Sequence, residues 1–176
     1  MTRAGAGDLA RLRNREDVAI ALLKSPEGFP ALPPRTEFDR LLCLWRLLSF
    51  SPHASWSLFR RGDADGFVVR RLMHDASRGL PVNVDDPHVH GAEGLMATTA
   101  GERVLTAFAA LRFPVFERSP GFGLDGTRYG LRTGNRYGGA CIEWWEGGPA
   151  GWTPLADLFD DTIRQFEAVL PAATLA

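Results

Sequence analysis

The apolar positions of the chain fall into runs of helical or strand period, broken by Gly- and Pro-rich punctuation. Toward the end, Leu155, Leu158, Phe159, Ile163, Phe166, Val169 and Leu170 recur at three- and four-residue intervals. That spacing predicts a helix with a wide apolar stripe. Thr153 and Pro154 suit its N-cap and first helical position, and Pro171 its end. A second helix is predicted from Thr99, where Thr99-Ala100-Gly101-Glu102 reads as a capping box. Val104, Leu105, Phe108 and Leu111 line one face of it, and Phe113-Pro114 stops it.

Strand period appears in two pairs of runs. Ser55–Arg61 and Phe67–His74 flank the turn Gly62–Gly66, and Thr127–Thr133 and Tyr137–Trp145 flank Gly134-Asn135. Each pair predicts a hairpin. The run from Thr36 to Leu48 reads two ways. Phe38, Leu41, Leu42, Trp45 and Leu48 fit a helix, while the dense stretch Leu41–Leu48 also fits a fully buried strand; periodicity alone does not separate these. Ala76–Gly94 reads as a long polar loop, with a short strand at Val82–Val84 as its one regular element.

Upstream, Asn14 could cap a short helix bearing Val18, Ile20, Leu22 and Leu23. Pro26, Pro30, Pro33 and Pro34 then forbid regular helix, so residues 25–35 read as a linker. The expected organisation is an N-terminal extension and Pro-rich linker over residues 1–35 and one α+β domain over 36–176. The domain would hold an antiparallel meander sheet of about four or five strands, built from two hairpins and packed against two or three helices.

The segment Phe122-Gly123-Leu124-Asp125-Gly126-Thr127-Arg128-Tyr129 is followed by a Trp-bearing strand and by Trp152-Thr153-Pro154-Leu155 at the head of the last helix. This arrangement resembles a loose family of small bacterial α+β proteins in which a Leu-Asp-Gly turn leads into two strands and a closing helix. The run from Phe38 to Arg61 is similar in style. What the resemblance implies is the fold. These proteins, a domain of unknown function, carry no established activity, so no catalytic residue follows from it.

Composition narrows the class further. Among 176 residues, 45% are hydrophobic, with five Trp and eleven Phe, which supplies a core and excludes a disordered chain. The net charge is −1, so no global attraction to nucleic acid or anionic membrane is implied. The charge is segregated, however. From residue 137 onward, Glu143, Glu146, Asp157, Asp160, Asp161 and Glu167 face a lone base, Arg164. Nineteen of the twenty basic residues are Arg, and the abundance of Ala, Gly and Pro beside them points to a GC-rich gene. Two cysteines, Cys43 and Cys141, make no disulfide framework. The first residues lack the apolar core of a signal peptide, and no run reaches the ~18 residues of a membrane span. The cytoplasm is the expected compartment.

Four constellations could carry chemistry. In Asp85-Asp86-Pro87-His88-Val89-His90, the two imidazoles would point the same way from an extended segment, with Asp86 or Glu93 completing a metal shell. His53 or His74 would supply a third ligand. That pattern would suit a small metal-dependent hydrolase; its alternative is a solvated loop. Gly121-Phe122-Gly123-Leu124-Asp125-Gly126 spells a dinucleotide fingerprint but lies before a strand, the wrong context for a cofactor, so none is implied. Arg60, Arg61, Arg70 and Arg71 interleave with Trp56 and Phe59 as on sheets that hold single-stranded nucleic acid; the near-zero net charge argues for paired surface charges instead. Trp144, Trp145 and Trp152 lie close together, and neighbours on a strand face opposite ways. One ring is therefore exposed at a partner surface, or else the last helix covers one and a loop the other. No nucleophile elbow, phosphate loop, His-Glu-x-x-His or Cys-x-x-Cys occurs. The expectation is a non-enzymatic interaction protein, either a homodimer or an immunity-type partner of another protein, binding through the Trp cluster with Asp157, Asp160 and Asp161.

Overall fold

The computed structural model describes residues 16–49, 52–62, 65–74, 88–118, 125–135, 137–146 and 148–173. A six-stranded antiparallel sheet organises them. Its strands are β1 (Arg40–Leu48), β2 (His53–Arg60), β3 (Phe67–His74), β4 (Val89–Met96), β5 (Thr127–Asn135) and β6 (Gly138–Trp145), in the order β4-β3-β2-β1-β5-β6. Helices α1 (16–24), α2 (Thr98–Ala110) and α3 (Thr153–Glu167) complete the fold.

The ambiguous run after Thr36 is the strand β1. It is hydrogen-bonded to β2 on one side and β5 on the other. A central strand covered on both faces reads as one continuous apolar run, and so imitates a helix stripe. The sheet also has more strands than expected. β4 occupies residues assigned from the sequence to the long loop, pairing in register from Phe67↔Met96 to His74↔Val89. The strand expected at Val82–Val84 lies outside the described residues. β5 runs through Asn135 rather than turning there, with Gly134 held at φ +75° and Asn135 opposite Gly138.

The α2 helix starts two residues earlier than the capping box implies. Ala97 is its N-cap, with no side-chain hydrogen bond. Likewise Trp152, not Thr153, caps α3; the Thr153 hydroxyl instead donates to the Ala150 carbonyl.

Strand alternation divides the core in two. One face carries Leu44, Trp56, Leu58, Val69, Leu131 and Trp144 against Leu155, Phe159 and Phe166 of α3 and Val104 of α2. The opposite face carries Cys43, Trp45, Leu47 and Leu72, packed against Leu23 and Phe29. Thus α1 and the Pro-rich segment, which the sequence suggested as extension and linker, form a strap that buries the second face. Residues Ala19 and Leu23 are fully buried. Burial also pushes the Cys43 thiol up to about 11.

Arg70 ties the strap to the sheet at several points. Arg70 is wholly buried. Its guanidinium donates to the carbonyls of Pro26, Glu27 and Pro33 and to the Glu93 carboxylate across the β3–β4 pair. Arg35 of the strap donates two further bonds of 2.9 Å to Glu93. Pro-rich chain leaves carbonyls without ladder partners, and a five-donor guanidinium can satisfy several at once.

Burial by itself raises the Glu93 carboxyl, but hydrogen bonds and charge from Arg35 and Arg70 outweigh it and hold the group below its ordinary value of 4.5. A depressed carboxyl stabilises the fold above its unfolded pKa, and that contribution disappears as pH falls through the folded pKa. Stability measured by urea unfolding is therefore expected to fall as pH drops below the ordinary glutamate range. Glu93→Gln is expected to be weaker at neutral pH, with a flatter acid limb. Parallel pH profiles for the two proteins would contradict the assignment.

Candidate functional site

The β5–β6 hairpin and α3 enclose a recess. Tyr129 and Trp144 are cross-strand partners, and their rings stack at 5.5 Å with an interplanar angle of 14°. Phe159 of α3 meets Trp144 edge-on at 5.4 Å. A 3-10 turn, Ala150–Trp152, links β6 to α3. With Pro154 in the first turn of α3, it brings the Trp152 ring to 6.2 Å from Trp144, inclined at 72°. Such edge-to-face and offset arrangements satisfy the ring quadrupoles.

The turn is latched to the segment after α2. The Trp152 indole N–H donates to the Pro114 carbonyl at 2.6 Å, and the Gly151 N–H donates to Glu117 Oε2 at 2.9 Å. Phe113 packs edge-on against Trp152 at 5.4 Å. Beyond the latch, Val115 and Phe116 stand exposed, Phe116 at 99%.

The recess has a volume of about 340 Å³, within the ordinary range for ligand sites. Its walls are aromatic, and Glu146 and Asp160 also line it. The Glu146 Oε2 accepts the Thr127 N–H at 2.9 Å, which fixes that carboxylate at the start of β5. Asp160 lies on the exposed side of α3 and bonds to no other described residue.

Of the residues proposed from the sequence for partner binding, Trp144, Trp152 and Asp160 meet in this recess. Trp144 is buried and Trp145 and Trp152 are half-buried, so none of the three is the exposed ring considered above; α3 covers Trp144. Asp157 and Asp161 lie on the solvent side of α3, and Asp161 is paired with Arg164. Sequence reasoning missed Tyr129, Phe159 and Glu146 as members of the site. The turn expected at Gly134-Asn135 implies a different register, so the pairing that sets Tyr129 opposite Trp144 was not legible in the sequence.

The other constellations do not assemble among the described residues. Arg70 and Arg71 point to opposite faces and are both buried. Arg70 binds the strap, while Arg71 is paired with Glu167 of α3 and donates to the Pro171 carbonyl at 2.9 Å. Arg60 is exposed and Arg61 half-buried, so the four do not form one basic surface. His88 precedes β4 at φ +48°, His90 is exposed on β4, and Asp86 lies outside the described residues. Among the described residues no group of three His, Cys, Asp or Glu side chains is placed to hold a metal ion. None of their helices is long and apolar enough to cross a membrane.

Fold and recess together define an α+β protein whose antiparallel sheet is covered on both faces, with an aromatic, acid-lined pocket beside its terminal helix. No family model, curated protein or solved structure matches the chain.

Proposed function

We propose that the chain is a protein-interaction module that binds a basic surface of a different protein through α3 and the pocket beside it. The observation that carries this reading is the pocket itself: half-buried Trp152 and buried Trp144 line it together with Glu146 and Asp160. Aromatic anchors in a recess with a polar rim have the anatomy of an interface centre. The exposed pair Val115 and Phe116, one latch away, offers apolar contact beside it.

Charge favours an unlike partner over a second copy. A twofold dimer applies one patch to the same patch of its copy, and here both patches would carry Glu146, Asp157 and Asp160. A basic partner meets no such repulsion, and complementary charge accelerates encounter. An inhibitor-type module presenting carboxylates to a basic protein fits these terms.

The test uses a lysine- and arginine-rich peptide and its glutamine counterpart, titrated calorimetrically into the full chain at low and raised salt. The basic peptide is expected to bind, to weaken with salt and to lose affinity at least about tenfold in Asp157→Lys/Asp160→Lys, a penalty of ~1.4 kcal/mol or more. Equal affinity for the two peptides, or no effect of the charge reversals, would reject the reading.

A further inference from the structure

The fold repeats one chemical arrangement. A cation lies over an aromatic ring while a carboxylate neutralises it. Lys24 sits 5.1 Å from the Trp45 ring and pairs with Glu143. Arg35 and Arg70 sit 5.5 and 5.4 Å from the Phe59 ring, and both pair with Glu93. The pocket beside α3 brings together other rings and other carboxylates, and among the described residues no Lys, Arg or His lines it.

We infer that this pocket receives the guanidinium group of an arginine side chain presented by the partner protein. The inference rests on the interaction surface proposed above and names what enters it.

Three features select this occupant. Tyr129, Trp144 and Trp152 supply electron-rich rings to the pocket wall, an environment that attracts a cation and suits a flat one. Asp160 bonds to no other described residue, which leaves both its oxygens open to a forked pair of N–H donors. Glu146 Oε2 is committed to the Thr127 N–H, so this second carboxylate is held in place before any ligand arrives. A neutral apolar occupant would take water from the carboxylates and return nothing. An ammonium is a more strongly hydrated point charge and cannot occupy the fork. Arginine supplies both the plane and the fork.

The experiment titrates the full chain with a short glycine-serine peptide carrying a single arginine. The same peptide carrying citrulline, which keeps the shape and loses the charge, and one carrying lysine are the comparisons. The indole N–H resonances of Trp144 and Trp152 are followed by two-dimensional NMR. The arginine peptide is expected to shift both resonances saturably, with citrulline at least tenfold weaker and lysine between them. Asp160→Asn, a change at an exposed position, is expected to weaken the arginine peptide about tenfold without changing the melting temperature. Trp152→Leu is expected to abolish the shift of the remaining Trp144 resonance.

Citrulline binding as tightly as arginine, indifference to Asp160→Asn, or no saturable shift at millimolar peptide would each overturn the inference. Its failure is separable from failure of the surface reading. If the basic peptide still binds, weakens with salt and shifts the pocket indoles while the single-arginine and citrulline peptides do not differ, the surface stands and the arginine occupant falls.

Discussion

Replacing Arg70 with methionine is expected to cost about 3–5 kcal/mol of folding stability, the range seen when a buried ionic group loses its partner. The substitution keeps much of the side-chain volume, so packing over Phe59 is preserved and the loss is electrostatic. Glu93 keeps only Arg35, and the carbonyls of Pro26, Glu27 and Pro33 lose the donor that Arg70 supplies. Arg70→Lys is expected to recover only part of the loss, because one ammonium cannot reach a carboxylate and three carbonyls together. Urea unfolding measures the stability. Hydrogen exchange over residues 16–35 locates the damage, which should appear first in the strap. A change below ~1 kcal/mol, the scale of an ordinary single hydrogen bond, would show that Arg70 does not anchor it.

Removing residues 1–35 is expected to abolish cooperative folding altogether. The sequence allowed this stretch to be an appendage, and the deletion decides the matter directly. Without it, Cys43, Trp45, Leu47 and Leu72 lose their cover, and Arg70 loses three of its acceptors. Burial of Leu23 and Phe29 contributes about 1.5–3 kcal/mol each. Together with the Arg70 bonds, that approaches the ~5–15 kcal/mol by which a whole domain is stable. The shortened chain should bind a hydrophobic dye and melt without a sharp transition. A sharp transition at the melting temperature of the full chain would show the second face to be stable uncovered.

These two expectations mark where local pattern stopped being informative. The terminal helix was legible because Leu155, Phe159, Ile163 and Phe166 must lie on one stripe to be buried, and that spacing survives any tertiary context. The hairpin of β2 and β3 was legible from the turn at Gly62–Gly66. The strand β1 was not separable from a helix, because burial on both faces erases the alternation that marks a strand. The strand β4 was hidden for a different reason. Glu93 and His90 make it read as polar loop, yet Glu93 sits in the sheet because Arg70 and Arg35 neutralise it there.

The pocket divides in the same way. Composition and order along the chain already placed three tryptophans near a run of acids, and so named Trp144, Trp152 and Asp160. That Tyr129, Phe159 and Glu146 join them depends on strand register and on how α3 lies across the sheet. Both are set by contacts between residues far apart in the chain. Sequence by itself determined the helical stripe, the turns, the apolar supply and the segregation of charge, because each follows from the spacing and chemistry of near neighbours. Only the tertiary structure decided that Leu23 and Phe29 cover the second face of the sheet, that the arginines of β3 are buried, and that aromatic rings and two carboxylates line one recess. Those outcomes depend on which distant group satisfies a buried charge or carbonyl.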